Sequence, residues 1–144
     1  MTRTIREIEP ADHHRLGEIQ RAALDEPSPD LLAAAADGPL PGFVCLDDDR
    51  IVGYVFAVVG DSRAYLPELA IATISQRQGH GTALLERICE RLQSHGVDTV
   101  RVTARADDSR AREFYESRGF AVADRVPDYY EDGTDGIVYR QRSE

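Results

Sequence analysis

The segment Leu69-Ala70-Ile71-Ala72-Thr73-Ile74-Ser75-Gln76-Arg77-Gln78-Gly79-His80-Gly81-Thr82-Ala83-Leu84-Leu85 constrains this chain more than any other. An apolar run rich in strand formers ends in a short loop with two glycines one residue apart, and an amphipathic helix starts at once. The unpaired N–H groups of a helix's first turn gather at such a junction. Neither Gly79 nor Gly81 has a side chain to block an approaching oxyanion. Glycine also accepts the positive φ angles that turn those N–H groups inward. The guest that this predicts is a phosphate or pyrophosphate.

The chain has 144 residues, which fits a single domain over 1–144 able to bury a core without disulfides or metal. It has no apolar run of about eighteen residues, so no membrane-spanning helix is expected. Its first residues lack the apolar segment of a secretory signal, so a cytoplasmic location is expected. Cys45 and Cys89 each sit in an apolar pattern and read as small buried hydrophobes in a reducing compartment. There is no CxxC or His/Cys cluster, and His13-His14 has no further ligands nearby, so no metal is expected. The formal net charge of −9 argues against nucleic acid as a partner, because phosphate backbones need a basic face. All basic residues are Arg and Asp is plentiful. That composition fits a GC-rich genome as well as a salt-rich cytoplasm.

Along the chain, residues 2–8 alternate as an edge strand would. Pro10-Ala11-Asp12 opens a helix with Leu16, Ile19, Ala23 and Leu24 on one face. A short alanine-rich helix over 31–36 follows. Strands over 43–46, 51–59 and 64–73, the first two joined by a tight turn at Asp48-Asp49, predict an antiparallel meander. The helix from Gly79 carries Leu84, Leu85, Ile88, Cys89 and Leu92 on a core-facing stripe and stops at His95-Gly96. A strand over 97–103 comes next, then a helix over 110–118 with Asp107-Asp108-Ser109 as N-cap chemistry. Strands over 120–126 and 136–139 end the chain. The order is β-α-α-β-β-β-α-β-α-β-β in one α/β domain.

That order and two motifs resemble the GNAT superfamily of acetyl-CoA-dependent N-acetyltransferases. The first motif is Gln/Arg-x-x-Gly-x-Gly/Ala, met by Gln76, Gly79 and Gly81. The second is Ala111-Arg112-Glu113-Phe114-Tyr115-Glu116-Ser117-Arg118-Gly119-Phe120, similar to the helix and strand beside the thiol end of CoA. The resemblance runs from Ile5 to Arg140. It implies a single mixed, mostly antiparallel sheet flanked by helices, with acetyl-CoA as cosubstrate. Backbone N–H groups of residues 78–82 (Gln78, Gly79, His80, Gly81, Thr82) would hold the pyrophosphate, helped by Arg77. Pantetheine amides would pair with the strand edge at Leu69, Ala70, Ile71 and Thr73. Asp108 stands where many relatives have a CoA-contacting asparagine; it is either that contact or simply a helix cap.

The resemblance also implies that Tyr115 is the general acid that protonates or hydrogen-bonds the departing CoA thiolate. The base is left open. An α-amine (pKa about 8) needs far less help than a lysine (about 10.4). Glu68 precedes the central Leu-Ala-Ile and could face the acceptor, directly or through water. The glutamate that relatives often carry on the fifth strand is Thr103 here, so either Glu68 takes over or a water chain suffices. Tyr129 and Tyr130 look like the tyrosine-pair hairpin of RimI-like protein N-terminal acetyltransferases, whose loop closes over the first residues of a peptide. The implied acceptor is a protein or peptide N-terminus. A small-molecule amine is the alternative, and an idle acyl-CoA-binding module is a further one. A monomer or homodimer fits either.

Overall fold

The computed structural model describes residues 2–142. A seven-stranded sheet runs in the order β1-β2-β3-β4-β5-β7-β6. Strands β1 (Arg3–Glu7), β2 (Gly42–Asp47), β3 (Arg50–Val59) and β4 (Arg63–Ile71) pair antiparallel in succession, with β1 at the edge as its alternation predicts. β5 (Thr99–Arg105) joins β4 in parallel, and β7 (Gly136–Arg142) and β6 (Ala121–Val126) complete the far side antiparallel. The helices are α1 (His13–Ala23), α2 (Pro29–Asp37), α3 (His80–Ser94) and α4 (Ser109–Ser117). The β2–β3 turn has positive φ at both Asp48 and Asp49, the two-residue geometry that matches the twist of the strands.

Each face of the sheet buries its own core. Leu84, Leu85, Ile88 and Leu92 of α3 pack on one side with Val55, Val102 and Tyr139. Leu16 and Ile19 of α1 and Leu32 of α2 pack on the other with Val44, Tyr54 and Phe56. No helix among the described residues is long and apolar enough to cross a membrane. Cys45 is buried, Cys89 is half-buried, and both are free thiols.

Several boundaries differ from the sequence reading: α2 begins at Pro29 rather than 31, β5 ends at Arg105 rather than 103 and β7 runs to Arg142 rather than 139, and two further differences have a clear local cause. β4 stops at Ile71 rather than 73, because Thr73–Ser75 wind into a 3-10 turn closed by Ser75 N–H on the Ala72 carbonyl. β5 begins at Thr99 rather than 97, because Val97 still belongs to the end of α3. Its N–H bonds the Leu92 carbonyl at 3.0 Å and that of Gly96 bonds Gln93 at 3.1 Å, which is the Schellman pattern.

One irregularity of β4 positions the site. The register with β3 passes from Phe56↔Glu68 to Val58↔Tyr65, so Ala57 faces two residues, Leu66 and Pro67. Such a bulge inverts the alternation, and proline has no N–H to lose from the ladder there. Ala64 and Leu66 therefore join the α3-side core, whereas Ala70 lies in the α1/α2-side core. The parallel ladder with β5 is three residues long: Arg63↔Thr99, Ala64↔Val100 and Tyr65↔Arg101. Beyond Tyr65 the two strands part, and the sheet is forked.

Candidate active site

The fork opens into two clefts that meet at Leu69, Ala111, Asp108 and Tyr115. The larger, of about 830 Å³, runs from the β4 edge past Gln76, Arg77, Gly79, Gly81 and Thr82 to Arg110 and Glu113 of α4. The smaller, of about 310 Å³, lies among the α1–α2 loop, Glu68, Thr103, Arg105 and Tyr130.

The glycine loop is built as the larger cleft requires. The first helical bond of α3 runs from Ala83 N–H to the Gly79 carbonyl, at 3.1 Å. The N–H groups of His80, Gly81 and Thr82 therefore precede the ladder and remain free of it. Gly79 has φ 84°, and Arg77 reaches φ 65° without being glycine, a conformation that residues adopt where surrounding structure imposes it. At Gly81 neither conformation nor packing demands glycine, since a Cβ there would meet only Phe114 and Leu69, at ordinary contact distances of 3.6 and 3.7 Å. These features fit an elongated polyanion: local N–H groups and Arg77 and Arg110 at one end, and unpaired β4 edge at the other.

Not every expected contact residue faces that cleft. Leu69, Ile71, Gln76, Arg77, Gly79, Gly81, Thr82 and Asp108 line it. Ala70 is turned to the opposite core by the bulge, so only its backbone belongs to the edge. Thr73 lies in the 3-10 turn, which shortens the strand edge below the expected span. Gln76 caps that edge itself, its Nε2 donating to the Ile71 carbonyl at 3.2 Å. The Gln78 carbonyl is held by Arg3, and the His80 imidazole is buried beneath the loop at 1% exposure. Asp108 caps α4, its Oδ1 accepting from Ala111 N–H at 3.0 Å, and it faces both clefts.

Tyr115 sits where the clefts join, and α4 is fixed so as to hold it there. Phe120 N–H bonds the Tyr115 carbonyl at 3.0 Å and Gly119 N–H bonds Glu116 at 3.3 Å, with Gly119 at φ 91°. The apolar contact that goes with this motif is Tyr115 against Phe120, with ring centroids 5.7 Å apart. The Tyr139 hydroxyl donates to Glu116 Oε2 at 2.6 Å and accepts from Arg112 Nε at 3.0 Å, which sets the rotation of the helix. Burial, then Tyr65, Tyr130 and Asp108, push the Tyr115 phenol well above its ordinary range, so it stays protonated at neutral pH.

Glu68 reaches the smaller cleft, but its carboxylate is fully engaged. Gln20 Nε2 donates to both oxygens at 2.9 and 3.1 Å, Ser28 N–H to Oε2 at 2.7 Å, and the Tyr54 hydroxyl to Oε1 at 2.8 Å. Four hydrogen bonds from three donor groups occupy the acceptor sites of a carboxylate. Glu68 thus ties α1, the α1–α2 loop and β3 to the strand after the bulge. Nothing in the local sequence discloses this, because its partners lie 14 to 48 residues away.

The β6–β7 hairpin supplies Tyr130 to the cleft wall, while Tyr129 lies against Gly136. Burial and the neighbouring Tyr129 and Tyr65 push the Tyr130 phenol up to about 12. Sequence reasoning missed Arg105, which holds this wall together. Its guanidinium lies 4.8 Å from the centre of the Tyr130 ring, pairs with Asp132 and Asp107, and donates to Thr134 Oγ1 at 2.9 Å. It also stands 3.8 Å from Glu26, whose Oε2 accepts from Glu131 N–H at 3.2 Å. The hairpin and the α1–α2 loop are thereby joined over the smaller cleft. Tyr65 was missed as well: at the fork, its hydroxyl donates to Thr103 Oγ1 at 3.1 Å.

Comparison with known proteins agrees with this geometry. The model of the Acetyltransferase (GNAT) family matches residues 3–120. N-alpha-acetyltransferase 30 of Schizosaccharomyces pombe is 31% identical over 102 residues, 67% of this chain and 68% of that protein. The [Ribosomal protein bS18]-alanine N-acetyltransferase of Salmonella typhimurium is 35% identical over 83 residues, 58% of this chain and 56% of that one. The crystal structure of the ribosomal-protein-S18-alanine N-acetyltransferase from Escherichia coli superposes with a TM-score of 0.89 at 29% identity, covering 98% of this chain and 94% of that one. With its forked sheet, its glycine loop and the family match over most of its length, the chain belongs to the GNAT family of acetyl-CoA-dependent N-acetyltransferases.

Proposed function

We propose that this enzyme acetylates the N-terminal α-amine of a protein or peptide, with acetyl-CoA in the larger cleft and the acceptor in the smaller. The observation that carries this reading is the meeting of the two clefts at Tyr115 from opposite sides of the fork. The smaller cleft is spanned by two joined loops, which suits the end of a chain. The relatives named for N-terminal and ribosomal-protein alanine acetylation support the same class.

The amine nitrogen attacks the thioester carbonyl carbon, the C–S bond breaks, and the sulfur leaves as thiolate. Tyr115 faces that sulfur as a protonated phenol. A CoA-type thiol has a pKa near 8.5, below that of the raised phenol, so the hydroxyl steadies the thiolate chiefly as a hydrogen-bond donor and gives up its proton only as solvent replaces it. The amine's proton goes to water. An α-amine is substantially neutral near pH 8 and needs no strong base. The Tyr65–Thr103 hydroxyl pair at the fork can order that water, while Glu68, with its oxygens taken, holds the loop.

Thiol release from acetyl-CoA, measured across short peptides with free or blocked N-termini and across polyamines, tests the reading. Turnover is expected with free N-termini and lost when they are blocked. Turnover with polyamines alone would point to a small-molecule acceptor. Binding without any turnover would mark an idle acyl-CoA module.

A further inference from the structure

Two buried side-chain atoms among the described residues have no hydrogen-bond partner: His80 Nε2 and Asp47 Oδ1. They belong to a group outside both clefts, formed by Arg3 of β1, Cys45 and Asp47 of β2, and His80 at the start of α3. Arg3 Nε donates to His80 Nδ1 at 3.0 Å, and Arg3 Nη2 donates to the Gln78 carbonyl at 2.6 Å. Cys45 Sγ lies 3.5 Å from the same Nδ1, and Asp47 Oδ2 lies 4.0 Å from Nε2. A guanidinium can only donate, so Nδ1 must accept, and the neutral ring carries its proton on the Asp47 side.

We propose that Arg3 and His80 are a positioning pair that straps the glycine loop in its anion-binding orientation, so that acetyl-CoA affinity depends on them although neither side chain reaches the cleft. This rests on the reading of residues 76–82 as the pyrophosphate site. In a planar trans peptide, the C=O and the following N–H point in opposite directions. Holding the Gln78 carbonyl against Arg3 therefore directs the Gly79 N–H away from Arg3 and toward the cleft. Were this peptide free to flip, it would offer a carbonyl dipole to a phosphate. Arg3 also fills the space behind the loop, since a Cβ on Gly79 would stand 3.2 Å from Nη2.

The strap has a built-in dependence on protonation. A doubly protonated imidazole would present N–H to the Arg3 N–H, and the bond would be lost. The charged or titratable groups around the ring are Arg3, Cys45 and Asp47. Burial first, then the charge of Arg3, lower its basicity against the opposing pull of Asp47. The neutral ring is thus favoured in the folded protein. The strap is whole above about pH 6.5 and is released as pH falls through the titration of the folded ring.

The test is calorimetric titration of CoA into the wild-type protein and into Arg3→Met, His80→Leu, the double variant and His80→Asn. Arg3→Met and His80→Leu should each weaken CoA about tenfold, the scale of a hydrogen bond to a charged group. The double variant should lose no more than either alone, because one unit is broken. The asparagine oxygen can replace Nδ1 and cannot be protonated. His80→Asn should therefore keep affinity at about pH 7.5 and escape the extra weakening that the wild type shows as acid protonates its folded ring. CoA phosphates titrate alike with every protein, so only differences between proteins count. The KM for acetyl-CoA should follow the affinity, while the KM for the acceptor should not. Single variants within about twofold of wild type, additive losses, or His80→Asn tracking the wild type in acid would each overturn the strap. Failure of the wild type to bind CoA would overturn the reading of the loop as well.

Discussion

At the scale of single residues, Tyr115 and Glu68 carry opposite expectations. Tyr115→Phe removes only the hydroxyl and leaves the ring against Phe120 and Tyr139. Turnover should fall roughly 100-fold or more, with CoA affinity nearly unchanged in a binding titration; equal loss of both would mean a packing role. Because burial raises the phenol, the rate should climb with deprotonation of an α-amine near pH 8 and should not turn down before about pH 10. A falling limb near neutrality in a pH–rate profile would contradict Tyr115 as the donor. Glu68→Gln places an amide NH₂ among groups that all donate. It should lower stability by about 1–3 kcal/mol in denaturant unfolding and cost less turnover than Tyr115→Phe. A stable Glu68→Gln variant as inactive as Tyr115→Phe would instead make Glu68 the base.

At the scale of elements, the glycine loop separates conformation from space. Gly79→Ala forces a left-handed backbone on alanine, at about 1–2 kcal/mol, and presses on Arg3, so CoA affinity should drop in a fold that persists. Gly81→Ala meets only ordinary contacts and should bind CoA much as the wild type does. Calorimetry on both variants checks the contrast, and equal effects would contradict it. The glycine pair of this loop, the Asp108 cap and the helix stop at Gly119 were legible in the sequence because each is marked by residues within a few positions, whereas the hold of Arg3 on the loop from β1 was not. The end of β4 at Ile71 was not, since a 3-10 turn closes it without a proline or glycine to mark it. Nor was the inversion of faces at Leu66-Pro67, which depends on register with β3. Glu68, Arg105 and His80 were visible only as residues of certain types. Their partners come from other elements: the carboxylate offered as a possible base accepts from α1, the α1–α2 loop and β3, and the histidine whose backbone N–H was expected to meet a pyrophosphate keeps its imidazole beneath the loop.

At the scale of the whole molecule, a protein with a formal net charge of −9 must take an acidic cosubstrate. On the proposed reading the fork lets it do so, because the N–H groups of one helix start and two arginines lining the larger cleft make a positive region that the overall charge does not cancel. On that reading the same fork sets the direction of entry, with cosubstrate and acceptor in the two clefts that meet at Leu69, Asp108, Ala111 and Tyr115. A bisubstrate analogue reads this arrangement most directly, with the CoA sulfur joined through an acetyl bridge to the α-nitrogen of a short peptide. Titrated against the protein, it should bind more tightly than CoA, and the advantage should vanish when the bridge is moved to a lysine side-chain nitrogen. An α-linked analogue that binds no better than CoA, or one outbound by its lysine-linked counterpart, would contradict the account.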